Sequence, residues 1–259
     1  MSTPSGRASP PPAVARMLLV VAARAGPPAP CAMARAVLFD IDGTLVDSVD
    51  LHARAWQQAL ARFGKQVSYD AVRAQIGKGG DQLLPEFLSE EELERFGDDL
   101  DEYRTGLYQR ECLPLVKAFP GARDLLARLK QAGSSIGLAS SCKRMELGYY
   151  LRMVGGASLV DAATTADDAD RSKPFPDIFE ACLEKLGLDA ADAVAVGDSP
   201  HDAEAARRAG LATVGVLSGG FPARSLEAAG CTAVYRDVAE LLERLPTSPL
   251  APEGPSQHR

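Results

Sequence analysis

The sequence predicts an α/β fold, a parallel sheet with helices on both faces, and three observations carry that expectation. Ala36-Val37-Leu38-Phe39-Asp40 is a short apolar run with β-branched and aromatic residues that ends at a Gly-containing turn, the pattern of a fully buried strand. From about residue 48 to 116 the apolar spacing turns helical and no good strand interrupts it. Beyond Pro120-Gly121, helix and strand patterns alternate strictly, which implies parallel strands joined by helices.

Taken in order, the first strand leads into a helix on which Leu51, Ala55, Trp56, Ala59 and Leu60 recur at helical spacing. Ser89-Glu90-Glu91-Glu92 has the form of a capping box and opens an acidic helix running towards Arg110. The alternating series then reads as helix 122–132, strand 134–139, helix 143–154, helix 176–186, strand 193–196, helix 201–209 and strand 212–217. Segments 231–235 and 238–245 close it.

Both ends differ from this middle. Residues 1–35 hold seven prolines, four arginines and no acidic residue, so 1–34 is expected to be a disordered leader. Residues 17–23, after Arg16, faintly resemble a secretory h-region but are short and precede a Pro-rich stretch; an organelle transit peptide is the other targeting alternative. A start codon assigned too early is a further reading, because Met33 directly precedes the first strand. The tail from Pro246 carries four prolines and is also expected to be disordered.

The 259 residues are 46% hydrophobic and 24% charged, with net charge −7. No dense basic run is present to neutralise a nucleic-acid backbone, so nucleic acid is not expected as a partner. No apolar stretch reaches the roughly 18 residues of a membrane span. Five scattered cysteines form no CxxC pair and three histidines are too few to complete a zinc set, which favours a reducing cytoplasm with buried thiols.

In a parallel sheet, ligands bind beyond the carboxyl ends of the strands. Asp40 and Asp42 stand two apart just past the first strand, where uncompensated carboxylates would repel and a hard cation such as Mg²⁺ would relieve them. Asp198, at the end of a later strand, supplies a third acid; Ser140 and Lys173 could face the same opening as donors to phosphate oxygens. Gly43 would let the backbone turn tightly and present N–H groups to an anion. Such a set suits phosphoryl transfer, in which positioning and charge neutralisation supply most of the catalysis. Singly, each residue has a plainer reading: Ser140 as a turn former, Lys173 as a solvated lysine, Asp198 as a helix cap. Their order along the chain carries the case.

These residues fall in motifs that resemble the haloacid dehalogenase superfamily, in the branch of phosphoglycolate-phosphatase-like and β-phosphoglucomutase-like enzymes. Residues 37–48 around Asp40-Ile41-Asp42-Gly43-Thr44 resemble its first motif and Leu138-Ala139-Ser140-Ser141 its second. Ser172-Lys173-Pro174 resembles the third and Gly197-Asp198-Ser199-Pro200-His201-Asp202 the fourth, so the likeness spans roughly 34–245. It implies a Rossmann-like core (35–48 and 117–245) with an α-helical cap inserted at 49–116. It also implies Asp40 as nucleophile, Asp42 as acid and then base, and Lys173 and Ser140 holding the phosphoryl group, with Thr44 and Ser141 counted among the substrate-binding residues. Mg²⁺ would be held by Asp40, the Asp42 backbone carbonyl and Asp198, with Asp202 in support. Dehalogenation is not expected, because that branch would lack the acid at Asp42.

On the expected cap, His52 and Trp56 share a helical face, and in the mutase-like enzymes a His near this place faces the site. The glycines of Gly77-Lys78-Gly79-Gly80 would admit backbone close to a ligand, with Lys78 meeting a second anionic group. A surface His and a solvated turn are the plainer readings. Mutases would carry an Arg close to Gly80 and none is seen, while Cys142 reads as packing. The expected function is a Mg²⁺-dependent phosphatase of a small phosphorylated metabolite, acting as a monomer or weak dimer. A sugar phosphomutase and a non-enzymatic phospho-aspartate signalling module are the alternatives; a lid that excludes water tells against the last.

Overall fold

The computed structural model describes residues 34–251; the leader expected over 1–34, Ala34 apart, and the last residues of the tail lie outside them. Strand β1 (Ala36–Phe39) is buried along its whole length. A short β2 (Val46–Asp47) leads into α1 (Val49–Arg62), α2 (Tyr69–Arg73), α3 (Gly80–Leu83) and α4 (Glu90–Leu107). A π-helical turn (Tyr108–Cys112) follows, and β3 (Lys117–Ala118) pairs antiparallel with β2 where the chain returns.

The remaining elements are α5 (Ala122–Gln131), β4 (Ser135–Ala139), α6 (Arg144–Val154), β5 (Ala162–Thr164) and α7 (Asp177–Leu186). After them come β6 (Ala193–Gly197), α8 (Pro200–Arg208), β7 (Ala212–Val216), α9 (Ala223–Ala229), β8 (Cys231–Tyr235) and α10 (Val238–Glu243).

Six strands form one parallel sheet in the order β5-β4-β1-β6-β7-β8. Side chains alternate across a strand, so β1 feeds two cores. Val37 and Phe39 join Leu125, Leu129 and Tyr150 of α5 and α6 on one face. Ala36 and Leu38 join Phe179 and Cys182 of α7 and Ala205 of α8 on the other. The chain runs outward from β1 through β4 to β5, then restarts on the opposite side at β6. That reversal leaves a crevice at the carboxyl end of β1.

The helices between β2 and β3 have a cluster of their own, including Trp56, Leu60, Val72, Leu83 and Leu100. The capping box at the start of α4 is present: Glu92 N donates to Ser89 Oγ and Ser89 N to Glu92 Oε2. No helix among the described residues is long and apolar enough to cross a membrane.

Several features differ from the sequence reading, the two-residue strands β2 and β3 among them. Strand β5 and helix α9 were not anticipated; Ala162-Ala163-Thr164 is a three-residue edge strand without an apolar run to announce it. The tail expected to be disordered from Pro246 stays packed further on. Leu245 and Leu250 fill the larger core, and Ala34 N donates to Leu250 O at 2.8 Å.

Candidate active site

Asp40 follows β1 directly, and its backbone N–H donates to Val196 O of β6 at 2.9 Å, extending the ladder by one residue. The sheet therefore fixes where its carboxylate stands. Lys173 arrives from the loop before α7 and is wholly buried, with Nζ 2.5 Å from Asp40 Oδ1 and 2.7 Å from Asp202 Oδ1. A buried ammonium is tolerated only when paired. Burial works against its charge, but Asp202 and Asp40 more than compensate, so the ammonium stays protonated well above its usual range.

Asp198 directly follows β6, and Asp202 lies in the first turn of α8, where Ser199 N and Oγ donate to its Oδ2 at 3.0 and 2.6 Å. Carboxylate oxygens of Asp40, Asp198 and Asp202 come within 4.8 Å of one another. Burial first, with Asp202 and Asp40 adding repulsion, pushes Asp198 well above the carboxylate range. Burial likewise raises Asp40, to about 7, against the pull of Lys173. Fully ionised, three buried acids facing one ammonium would carry an excess of negative charge, and their donors are all hard oxygens. The set fits a divalent cation of the Mg²⁺ type.

The backbone makes room for this cluster with glycine. Gly43 has φ +86°, a conformation L side chains rarely adopt, and a Cβ there or at Gly219 would overlap the Asp198 carboxylate. Thr44, expected among the substrate-binding residues, is instead fully buried, and its hydroxyl donates to Asp198 Oδ1 at 3.3 Å.

The Asp42 side chain lies outside the carboxylate cluster and turns towards α1. Its Oδ1 accepts from Ser48 Oγ at 2.6 Å and pairs with His52 Nε2 at 3.0 Å. Ser48 holds the N-cap position of α1 but makes no cap hydrogen bond, because its hydroxyl is spent on Asp42. Burial opposes ionisation of Asp42, yet the charge and hydrogen bond of His52, with Ser48 and Tyr150, hold its carboxyl below the usual value. His52 stacks on Tyr108 with ring centroids 3.9 Å apart, and Tyr150 Oη sits 3.4 Å from His52 Nε2 and 2.6 Å from Tyr108 Oη. Burial raises both phenols, which keeps them protonated.

A cavity of about 40 Å³ lies over Asp40 and Asp42, room for about three waters. His52, Trp56, Lys78, Ser140 and Ser141 line it, together with Arg104 of α4 and Glu146 of α6, which the sequence reading did not name. Ser140 Oγ accepts from Cys142 N at 3.2 Å, and Lys78 Nζ is paired with Glu86 Oε1 at 2.8 Å. Cys142 is buried and its thiol pushed well up by that burial, so it packs as a neutral group.

Known proteins resemble this chain in sequence and in fold. The chain is 31% identical over 218 residues to a phosphoglycolate phosphatase of Rhodospirillum rubrum, covering 81% of this chain and 90% of that protein. It is 30% identical over 182 residues to the pyrophosphatase PpaX of Bacillus velezensis, covering 70% and 82%. Among solved structures, a hydrolase from Pseudomonas syringae superposes with TM-score 0.74 at 31% identity over 82% of this chain and 98% of that one. The family model described as haloacid dehalogenase-like hydrolase matches residues 37–216, the span that carries Asp40, Ser140, Lys173 and Asp198. The chain belongs to the haloacid dehalogenase-like hydrolase family.

Proposed function

We propose that this protein is a Mg²⁺-dependent phosphatase that hydrolyses a small phosphorylated metabolite through a phospho-aspartyl intermediate on Asp40. One observation carries the reading: Asp40 stands between a buried acid cluster that fits a divalent cation and a small cavity shared with Asp42, Ser140 and Ser141. The relatives named as phosphoglycolate phosphatase and pyrophosphatase support hydrolysis of phosphate esters or anhydrides.

In this mechanism an Asp40 carboxylate oxygen attacks phosphorus, and the bond to the leaving alcohol's oxygen breaks as Asp42 protonates that oxygen. Asp42 then takes a proton from a water that attacks the same phosphorus, which releases orthophosphate and restores Asp40. Lys173 fixes the attacking carboxylate and, with Ser140 and Ser141, steadies the phosphoryl oxygens. Asp40, the Asp42 backbone carbonyl and Asp198, with Asp202 in support, would hold Mg²⁺, which would supply charge neutralisation for the phosphoryl group. Free Asp42 is an anion; the approach of a phosphate dianion favours its protonation and readies it as the acid. The helices from 49 to 115 act as the lid, bringing His52 to Asp42.

Steady-state release of p-nitrophenol from its phosphate ester, with Mg²⁺ present, tests the nucleophile. Asp40→Asn is expected to lower kcat at least about a thousandfold, while Asp202 still answers Lys173 and the fold survives. A folded variant that keeps its turnover overturns the assignment.

A further inference from the structure

Three buried polar atoms around the Asp40 cavity have no hydrogen-bond partner among the described residues: Glu146 Oε1, Arg104 Nε and Ser141 Oγ. Glu146 is only 1% exposed. Its other oxygen accepts from Lys143 N at 3.3 Å, which pins the carboxylate at the first turn of α6. Buried polar atoms without partners are costly and few in native proteins, and a group of them around one cavity calls for a polar ligand. The complement is defined by chemistry. Glu146 Oε1 can only accept, Arg104 Nε can only donate, and Ser141 Oγ can do either. A hydroxyl, donor and acceptor at once, answers all three.

Charge narrows the choice further. The Arg104 guanidinium lies over the Trp56 ring at 4.4 Å and pairs with Asp101 Oδ1 at 3.4 Å. Lys143 pairs with the other oxygen of Asp101 at 3.2 Å. A second cavity of about 400 Å³ shares Gly80, Arg104 and Ser141 with the first, and in it these two cations face Asp81, Asp98, Asp101 and Asp170. A leaving group with its own carboxylate or second phosphate would meet Glu146 and this acidic wall, where the lining cations among the described residues, Lys78, Arg104 and Lys143, are each already paired with an acid.

We infer that Glu146 is a specificity-determining residue: its unpartnered oxygen selects phosphate esters whose leaving group presents a hydroxyl donor and disfavours those that carry a second anion. This inference rests on the phosphatase reading. The plainer alternative is that Glu146 only caps α6. A cap uses one acceptor oxygen, which Gln retains, so Glu146→Gln separates the two.

The test measures kcat/KM of the full chain with Mg²⁺ for glycerol 3-phosphate, 2-phosphoglycolate and p-nitrophenyl phosphate. Wild type is expected to favour glycerol 3-phosphate over 2-phosphoglycolate at least about tenfold, and Glu146→Gln to shrink that ratio by a similar factor. A wild-type preference for 2-phosphoglycolate overturns the inference whether or not the variant folds. So does a folded Glu146→Gln whose ratio matches wild type. If p-nitrophenyl phosphate is hydrolysed while the ratios fail, the selectivity alone falls. If none of the three esters is hydrolysed, the phosphatase reading falls and takes the inference with it.

Discussion

Asp198 occupies a space with no tolerance for an added atom. Gly43 and Gly219 crowd it from two sides, and Thr44 gives it a hydrogen bond. Gly219 has no need of a left-handed backbone, so an alanine there acts only through its methyl group, which would collide with the carboxylate. Gly219→Ala is therefore expected to weaken Mg²⁺ binding at least about tenfold, because a ligand displaced by a fraction of an ångström loses hard-cation geometry. Isothermal calorimetry reads this directly; an unchanged dissociation constant would show that Asp198 takes no part in holding the ion. Lys173 has the complementary role, a single cation that lets two of the three acids remain together before a metal arrives.

Asp168, in the turn after β5, ties that edge strand to its neighbours. Its carboxylate accepts from Lys185 Nζ of α7 at 2.8 Å and from Thr165 N and Oγ1 at 3.0 and 2.9 Å. The Lys185 bond, aided by Thr165 and opposed by some burial, holds the carboxyl well below the usual range. A depressed folded-state value stabilises the fold once pH exceeds the unfolded value near 4, and that contribution fades as pH falls below it. Asp168→Asn is expected to cost about 1–2 kcal/mol at pH 7. Urea unfolding at pH 7 and pH 3 gives the comparison: the gap between variant and wild type is expected to narrow at the lower pH. A gap that widens on acidification contradicts the ion-pair account.

For the molecule as a whole, folding gathers acids from separate strands and leaves their repulsion to be met by a cation. Burial lifts Asp40 to about 7 and Asp198 well above the carboxylate range, so towards lower pH a binding metal must displace protons from this pair. Mg²⁺ affinity is expected to rise with pH through neutrality, by up to about tenfold per unit while one proton is displaced. The Mg²⁺-induced rise in Tm is accordingly expected to be larger at pH 8 than at pH 6. An ion effect that is equal at both, or larger at pH 6, tells against the acid cluster as the binding site.

The sheet's central strand, the helical interval and the strand-end positions of Asp40, Asp42, Ser140 and Asp198, with Lys173 in its loop, were legible in the amino-acid order alone. Each of these follows from local pattern: an apolar run, a change of period, a polar residue where a strand stops. The family motif already set Asp202 beside the metal residues; the folded chain adds that its carboxylate meets those of Asp40 and Asp198 and that the Asp42 side chain turns to Ser48 and His52. Only the tertiary structure brought Tyr108 to Tyr150 and set Arg104 and Glu146 on one cavity. Arg104 and Tyr150 lie within helices, Glu146 in the first turn of α6 and Tyr108 just past α4, all in ordinary amphipathic patterns, and which face of α4 or α6 meets the crevice depends on how the helices pack on the sheet. That packing is a sum over many distant contacts, and no short window of sequence contains it.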